Sequence, residues 1–512
     1  MYPPPLSEEQ RLWLASSVQD WQINHGSMLK RVRSQSAHSV LCCPIGVTLF
    51  PTPFPRAHFD QALEMQSIYH ELYCAMTEDE HWIQTTLQEI LHVNSLAAAL
   101  WEIHRKVKRV DGYIQNISCG IFRSDYMLQG DGTSKLAIDP ADGPISTPQL
   151  KQVEFNTFSC AGASHAQKTV DMHRHFTRTG AYASLTNGGS PVSLAALPEN
   201  NNIQSLGACL AEAHALYGQA KSKVAAKTAV LFVVQPQNFN IADERPVEYA
   251  LWNRDSPVPA YRVEWGDDLL AHTSLSKTKE LLFHPPWLQS QAPIEISVVY
   301  LRAGYEADEY NDAGKSARVR LETSRAIKCP TLLAQILTFK KVQQALAEPG
   351  SVERFLSPEK AAKIRKTFVP MYPLDESQAG VRARKWAADP DVAEHFVLKP
   401  SLEGGGHNVY GAKIPDFLAS VAPSAWCAYI LMERIRSPAV YNVLMSPQGI
   451  GSGQVVSELG VIGTCIWKKR TMEGSEFLSN TVAGWSFKTK LAGVDEMSVV
   501  KGYGCFDTPL LY

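Results

Sequence analysis

No run of eighteen consecutive apolar residues occurs in the 512-residue chain, which argues against a membrane-spanning helix. The first residues, Met1-Tyr-Pro-Pro-Pro-Leu6, lack a basic region followed by an apolar stretch. A secretory signal is therefore not expected, and a cytoplasmic location is. Charge of one sign is not in excess: 49 Lys and Arg face 51 Asp and Glu, for a net charge of −2 and a pI near 6.7. This balance offers no electrostatic handle for nucleic acid or for an anionic membrane. The ten cysteines are scattered, without C-x-x-C spacing, and read as free thiols in a reducing compartment. There is no internal repeat and no low-complexity tract. Gly-x-Ser-x-Gly and a clear catalytic triad are also missing, so nothing points to a nucleophilic side chain. What remains is bulk. The chain is 45% hydrophobic, ample for a large core, and its length alone suggests two to four domains.

One stretch organises the rest: Phe396-Val-Leu-Lys-Pro-Ser-Leu-Glu-Gly-Gly-Gly-His-Asn-Val-Tyr-Gly411. An apolar strand-like run ends on Lys399 and Pro400, since proline cannot donate to a ladder. Glu403 and three glycines, Gly404, Gly405 and Gly406, follow. Residues without Cβ let bare N–H groups close on an anion, typically polyphosphate. They equally mark a ligand-free turn. No Gly-Lys-Ser/Thr follows, so this is not a Walker A loop, and it does not match G-x-G-x-x-G.

Other segments carry candidate chemistry. Residues 7 to 24 read as a helix, Val47 to Phe50 as a short strand, and Phe59 to Arg109 as a helical layer. Gly120 to Met127 reads as a strand end, with Arg123 either in a surface ion pair or binding a carboxylate. Lys151-Gln-Val-Glu-Phe-Asn-Thr157 alternates as a strand, placing Glu154 and Asn156 on one face. Two hard oxygen donors side by side suit Mg²⁺, or simply form a polar strand face. His165, His173 and His175 invite a zinc reading. No Cys or acid completes four ligands, so zinc is not expected. Residues 203 to 221 are amphipathic, and Ala229 to Val234 and Ile294 to Tyr300 read as buried strands. Residues 224 to 328 then form a small α/β unit. Residues 316 to 328 read as helix, and the adjacent Lys340 and Lys341 open another, usually solvent-facing. Tyr429 to Ile435 is a buried strand turning polar at Glu433. Gly449-Ile-Gly-Ser-Gly453 is better read as a hairpin turn than as a dinucleotide loop.

Lys399-Pro400, Glu403 to Gly406, Asn408 and Tyr410 resemble the ATP loop of the eukaryotic glutathione synthetases. The resemblance recurs in order from about Pro51 to Tyr512 and lies nearest fungal members. It implies an α/β ATP-grasp fold with an inserted substrate-binding subdomain and a glycine-rich lid. The implied divisions are residues 1–223, 224–328 and 329–512. It implies an ATP-dependent carboxylate–amine ligase with ATP and Mg²⁺ as cofactors. Homodimers, small carboxylate and amine substrates, and no nucleic-acid or membrane partner are also implied.

By resemblance Glu154, Asn156 and Glu403 are metal ligands. Lys340, Lys399, Gly404, Gly405, Gly406, Asn408, Tyr410, Met432, Glu433, Ile435, Glu458, Lys490 and Glu496 contact ATP. Arg123, Phe158, Ser159, Cys160, Ala161, Asn238, Asn240, Glu244, Arg302, Tyr305, Lys488, Val499 and Val500 contact substrates. Arg123, Arg302 and Lys399 carry the catalytic charge. The departures fall at substrate positions. The family reads Glu-Arg-Asn with a glutamine four residues on, where this chain has Asn238-Phe-Asn240 and Glu244. It has an arginine where this chain has Lys488, and Gly-Gly-Val-Ala-Ala-Gly where this chain has Met497-Ser-Val-Val-Lys-Gly502. Arg to Lys loses a bidentate carboxylate fork. A ligase with an altered acyl donor or amine is therefore expected. Ordinary glutathione synthesis is the alternative, and a non-catalytic nucleotide binder a lesser one.

Overall fold

The computed structural model describes residues 2–30, 40–130, 148–186, 191–288, 292–401, 407–469 and 475–512. Three sheets carry the architecture. The largest has seven strands in the order Val440–Ser446, Val47–Thr48, Cys505–Asp507, Ser475–Leu491, Gly449–Lys469, Ile117–Gln129 and Gln149–Asn156. Its pairings are antiparallel except between Cys505–Asp507 and Val47–Thr48. Helices Arg56–Thr77 and Asn202–Tyr217 pack against it. Tyr73 stacks on Phe155 with centroids 4.0 Å apart, which ties the first helix to the strand bearing Glu154.

The second sheet runs Ala260–Glu264, Thr228–Val234, Ile294–Arg302, Leu281–Phe283, Thr273–Leu275, with Ile327–Cys329 also beside Ile294–Arg302. Four of these strands are parallel. Thr228–Val234 and Ile294–Arg302 are buried along almost their whole length, hence their unbroken apolar runs. The third sheet is antiparallel: Met371–Pro373, Tyr429–Glu433, Phe396–Pro400 and Val409–Tyr410. Helices Gln378–Ala388 and Ile414–Ala419 share a small apolar core with it.

Several local expectations change. The segment 316–328 is not one helix. Helix Asp312–Glu322 ends where the Thr323 and Ser324 hydroxyls donate to the carbonyls of Val319 and Leu321. Ile327–Cys329 then pairs with Val298–Tyr300 as a strand. Residues 59–109 form three helices, restarted by the capping side chains of Asp79 and Asn94. Gly120–Met127 lies inside strand Ile117–Gln129, because the long strand Gly449–Lys469 pairs along it. Lys340 and Lys341 are buried, not solvent-facing. Among the described residues no three His, Cys, Asp or Glu form a metal cluster. His173 is structural, with Nδ1 on Thr508 Oγ1 at 2.8 Å and Nε2 on Thr48 O at 3.0 Å.

Candidate functional site

A cleft of about 800 Å³ lies between the seven-stranded and four-stranded sheets, and a pocket of about 270 Å³ adjoins it towards the second sheet. Every described residue assigned from the sequence to ATP, metal or substrate lines one or both. Glu403, Gly404, Gly405 and Gly406 lie outside the described residues.

Where cleft and pocket meet, strand alternation sets Glu154 beside Asn156. Glu154 Oε2 is 2.8 Å from Lys340 Nζ. Asn156 Nδ2 donates to Glu154 Oε1 at 3.0 Å and to Asp125 Oδ2 at 2.9 Å. With its nitrogen committed, the amide presents Oδ1 as its oxygen donor. Burial disfavours charge on Glu154, but Lys340, Lys399 and Arg123 outweigh it and hold the carboxyl well below the usual range. An ionised carboxylate with an adjacent amide oxygen fits the hard donors that Mg²⁺ takes. Lys399 is buried and donates to Val153 O at 2.8 Å. Burial, with Lys340 nearby, brings its pKa down to about 8 against the pull of Glu154.

Arg123 grips Asp125 through Nε at 2.7 Å and Nη2 at 2.7 Å, and Nη1 reaches Ala161 O at 3.2 Å. Gly460 makes room for this pair, since a Cβ there would lie 2.5 Å from Asp125 Oδ1. Asp125 was not singled out from sequence. Its position two residues from Arg123, on the same strand face, was the available signal.

On the four-stranded sheet Met432, Glu433 and Ile435 line the cleft opposite Val456 and Glu458. Glu433 Oε1 accepts from the Tyr372 hydroxyl at 3.0 Å. The Asn408 backbone N–H donates to Glu496 Oε1 at 3.1 Å. Arg434, also missed from sequence, lies 5.7 Å over the Tyr410 ring and 3.4 Å from Asp495. Lys490 Nζ donates to Asp495 O at 2.8 Å and to Val494 O. Burial lowers the Lys490 pKa. Lys488 Nζ is 2.5 Å from Glu458 Oε1, its register partner across the long hairpin.

In the adjoining pocket Asn238 Nδ2 donates to Glu244 Oε2 at 2.5 Å. Glu244 also faces Arg302 Nε at 3.3 Å and Arg262 Nη2 at 3.2 Å. Arg302 Nη1 donates to Cys160 O at 2.5 Å, and Nη2 is 3.4 Å from Asp243. Asp243 in turn accepts from the N–H groups of Gly162 and Ser164, both at 2.9 Å. These contacts hold segment 158–164 against the second sheet. Glu244 thus places a carboxylate beside Asn238 in this pocket. Asp243 and Arg262 gave no sequence signal, because helix and strand meet only in the fold.

A family model, "Eukaryotic glutathione synthase, ATP binding domain", matches residues 8–511. The chain belongs to the eukaryotic glutathione synthetase family. It is 30% identical to the glutathione synthetase large chain of Schizosaccharomyces pombe, covering 98% of this chain and 97% of that one. It is 33% identical to the glutathione synthetase of Bos taurus, covering 98% of each. A glutathione synthetase-like effector from Globodera pallida, solved in apo form, shares the fold with a TM-score of 0.70. Its identity is 20%, over 99% of this chain and 98% of that one. The chain is thus an ATP-dependent ligase of the glutathione synthetase family, with ATP and Mg²⁺ as cofactors. No helix among the described residues is long and apolar enough to cross a membrane.

Proposed function

We propose that this glutathione synthetase-family ligase has an ATP-grasp fold and joins the terminal carboxylate of a γ-glutamyl dipeptide to an amine other than glycine through an acyl phosphate. The observation that carries the reading is Lys488. It replaces the family's arginine fork, and Glu458 at 2.5 Å already neutralises it. Val499 and Val500 line the same end, where the family has small residues. The donor end supports a retained γ-glutamyl group, because Glu244 keeps one carboxylate in the pocket beside Asn238. In this reading residues 224–328 are the inserted substrate-binding subdomain, between core portions 1–223 and 329–512. A homodimer in the cytoplasm belongs to the same proposal.

A carboxylate is a poor electrophile, since its leaving group would be oxide. Phosphorylation makes an acyl phosphate that an amine can attack. The protein's task is to hold phosphate and carboxylate together, balance their charge and exclude water. Lys340, Lys399 and Lys490 bring positive charge to the cleft. Glu154, Asn156 and Glu403 would hold Mg²⁺, which when bound neutralises phosphate oxygens. Arg123 and Arg302 each commit three of five guanidinium N–H groups, leaving hydrogens on the terminal nitrogens for the carboxylates of the acyl donor. Gly404, Gly405 and Gly406 would close over the phosphates.

The test is phosphate release from ATP and Mg²⁺ with γ-glutamylcysteine, with and without glycine, and mass spectrometry of the product. Slow glycine turnover is expected. Lys488→Arg combined with a family-like loop at 497–502 should lower the glycine KM about tenfold, the worth of a charge-assisted hydrogen bond. Fast glycine-dependent formation of glutathione would overturn the altered acceptor. That outcome would establish the second reading, a true glutathione synthetase, which the relatives' names favour.

A further inference from the structure

His165 sits in the first turn of helix Ala163–Arg178 and lines the large cleft. It is 1% exposed, and among the described residues neither ring nitrogen has a hydrogen-bond partner. His173 on the same helix has both nitrogens matched, which is how a purely structural buried histidine is satisfied. Burial of two unmatched polar atoms is costly, so the His165 ring is prepared for a partner that the protein does not supply. Burial also lowers its pKa to about 4, against the pull of Asp243 and with the push of Lys168. At neutral pH it offers one N–H donor and one nitrogen acceptor.

Its neighbours locate it at the acceptor end. The Phe506 ring lies 5.6 Å away between centroids. Phe506 is the register partner of Lys488 and packs against Gly162, where a Cβ would come within 2.8 Å of the ring. Val499 and Met497 line the same cleft. Four nearby cations are already engaged. Lys488 is paired with Glu458 and Arg123 with Asp125. Lys168 donates to Gly26 O at 2.9 Å and Ala242 O at 3.2 Å. Lys490 is held by backbone carbonyls amid Glu458, Asp495 and Glu496. A second carboxylate entering here meets cations that already face acceptors, and an apolar wall, whereas a neutral amide or hydroxyl meets an unmatched imidazole.

We propose that His165 is a specificity-determining residue of the acceptor pocket, selecting an amine whose far end is an uncharged hydrogen-bonding group rather than a carboxylate. This deepens the altered-acceptor reading and rests on it. Glycinamide and glycine are the probes, equal in size and different in end charge. Two readouts are used: phosphate release with γ-glutamylcysteine, and the NMR signal of the His165 Cε1–H, assigned by its loss in His165→Leu. We expect a glycinamide kcat/KM at least tenfold above that of glycine, and a His165 shift with glycinamide at tenfold lower concentration than with glycine. His165→Leu should reduce glycinamide use, through KM, tenfold more than glycine use. His165→Asn, which keeps a neutral donor and acceptor, should restore part of it. Equal shifts with the two amines, or equal losses in His165→Leu, would overturn the proposal and mean that a water satisfies the ring. Phosphate release without selective shift sinks this inference and spares the ligase reading. A selective shift without turnover does the reverse.

Discussion

Replacing Glu154 by glutamine separates the stability of the site from its chemistry. Glu154 Oε2 lies 2.8 Å from Lys340 Nζ, with side-chain exposures of 25% and 10%. Lys399, 4% exposed, shares the same counter-charge. Glu154→Gln keeps the shape and removes the carboxylate that faces two buried ammonium groups. Losing one partner of a fully buried pair costs about 3–5 kcal/mol. A quarter-exposed carboxylate should give less, about 2–3 kcal/mol. The double variant Glu154→Gln with Lys340→Met removes one of the two ammonium groups and leaves Lys399, so it should recover about half of the loss, since neutral replacement of a buried pair is nearly free. The assay is the urea midpoint of each protein, alongside phosphate release. Turnover should fall at least a hundredfold in the single variant and stay lost in the double. A double variant no more stable than the single would refute the electrostatic account. Turnover within threefold of the parent in either would refute the assignment of Glu154 to the phosphate–metal wall.

Other outcomes follow from the same geometry. Glu403→Gln should abolish Mg²⁺-dependent turnover with the circular dichroism spectrum unchanged; undiminished activity would remove Glu403 from the metal set. Lys399 has a pKa of about 8, so kcat/KM for ATP should fall as pH rises through that value, and Lys399→Arg, always charged, should flatten the profile. Asp507 is buried and accepts from the hydroxyls of Thr48, Thr52 and Thr489 at 2.6, 2.5 and 2.6 Å. Burial outweighs these bonds and raises its pKa from 3.8 to about 6. Stability from its protonated form is full below pH 3.8 and lost as pH rises through about 6, a change of about 3 kcal/mol. Asp507→Asn should remove that slope from the pH dependence of the urea midpoint, and an unchanged slope would show that Asp507 is ionised throughout.

Much of the site was legible because its signals are local. Glu154 and Asn156 share a face by the two-residue repeat of a strand, and the strand is there. Lys399 closes an apolar run and points into the cleft from strand Phe396–Pro400. Family resemblance then carried Asn408, Tyr410, Met432 and Glu458 to the same cleft. The misses share a cause. Arg262 and Arg302 converge on Glu244, and Asp243 on Arg302, from different elements of the second sheet and its helix. Lys341 read as solvated because adjacent lysines usually are; the third sheet and helical layer cover it. His165 read only as part of a histidine cluster, since nothing local says that one ring is satisfied and another is not.

The sequence by itself determined the family and the faces of the strands that line the cleft, because short periodicity and local motifs act over a few residues. Tertiary structure decided which charges are spent. Lys488 meets Glu458 only through the register of a hairpin thirty residues long in sequence separation (488 against 458). Glu244 meets Asn238 only because helix Ile241–Trp252 turns its first residues back onto that loop. Charge energies depend on distance and burial, and both are properties of the folded chain.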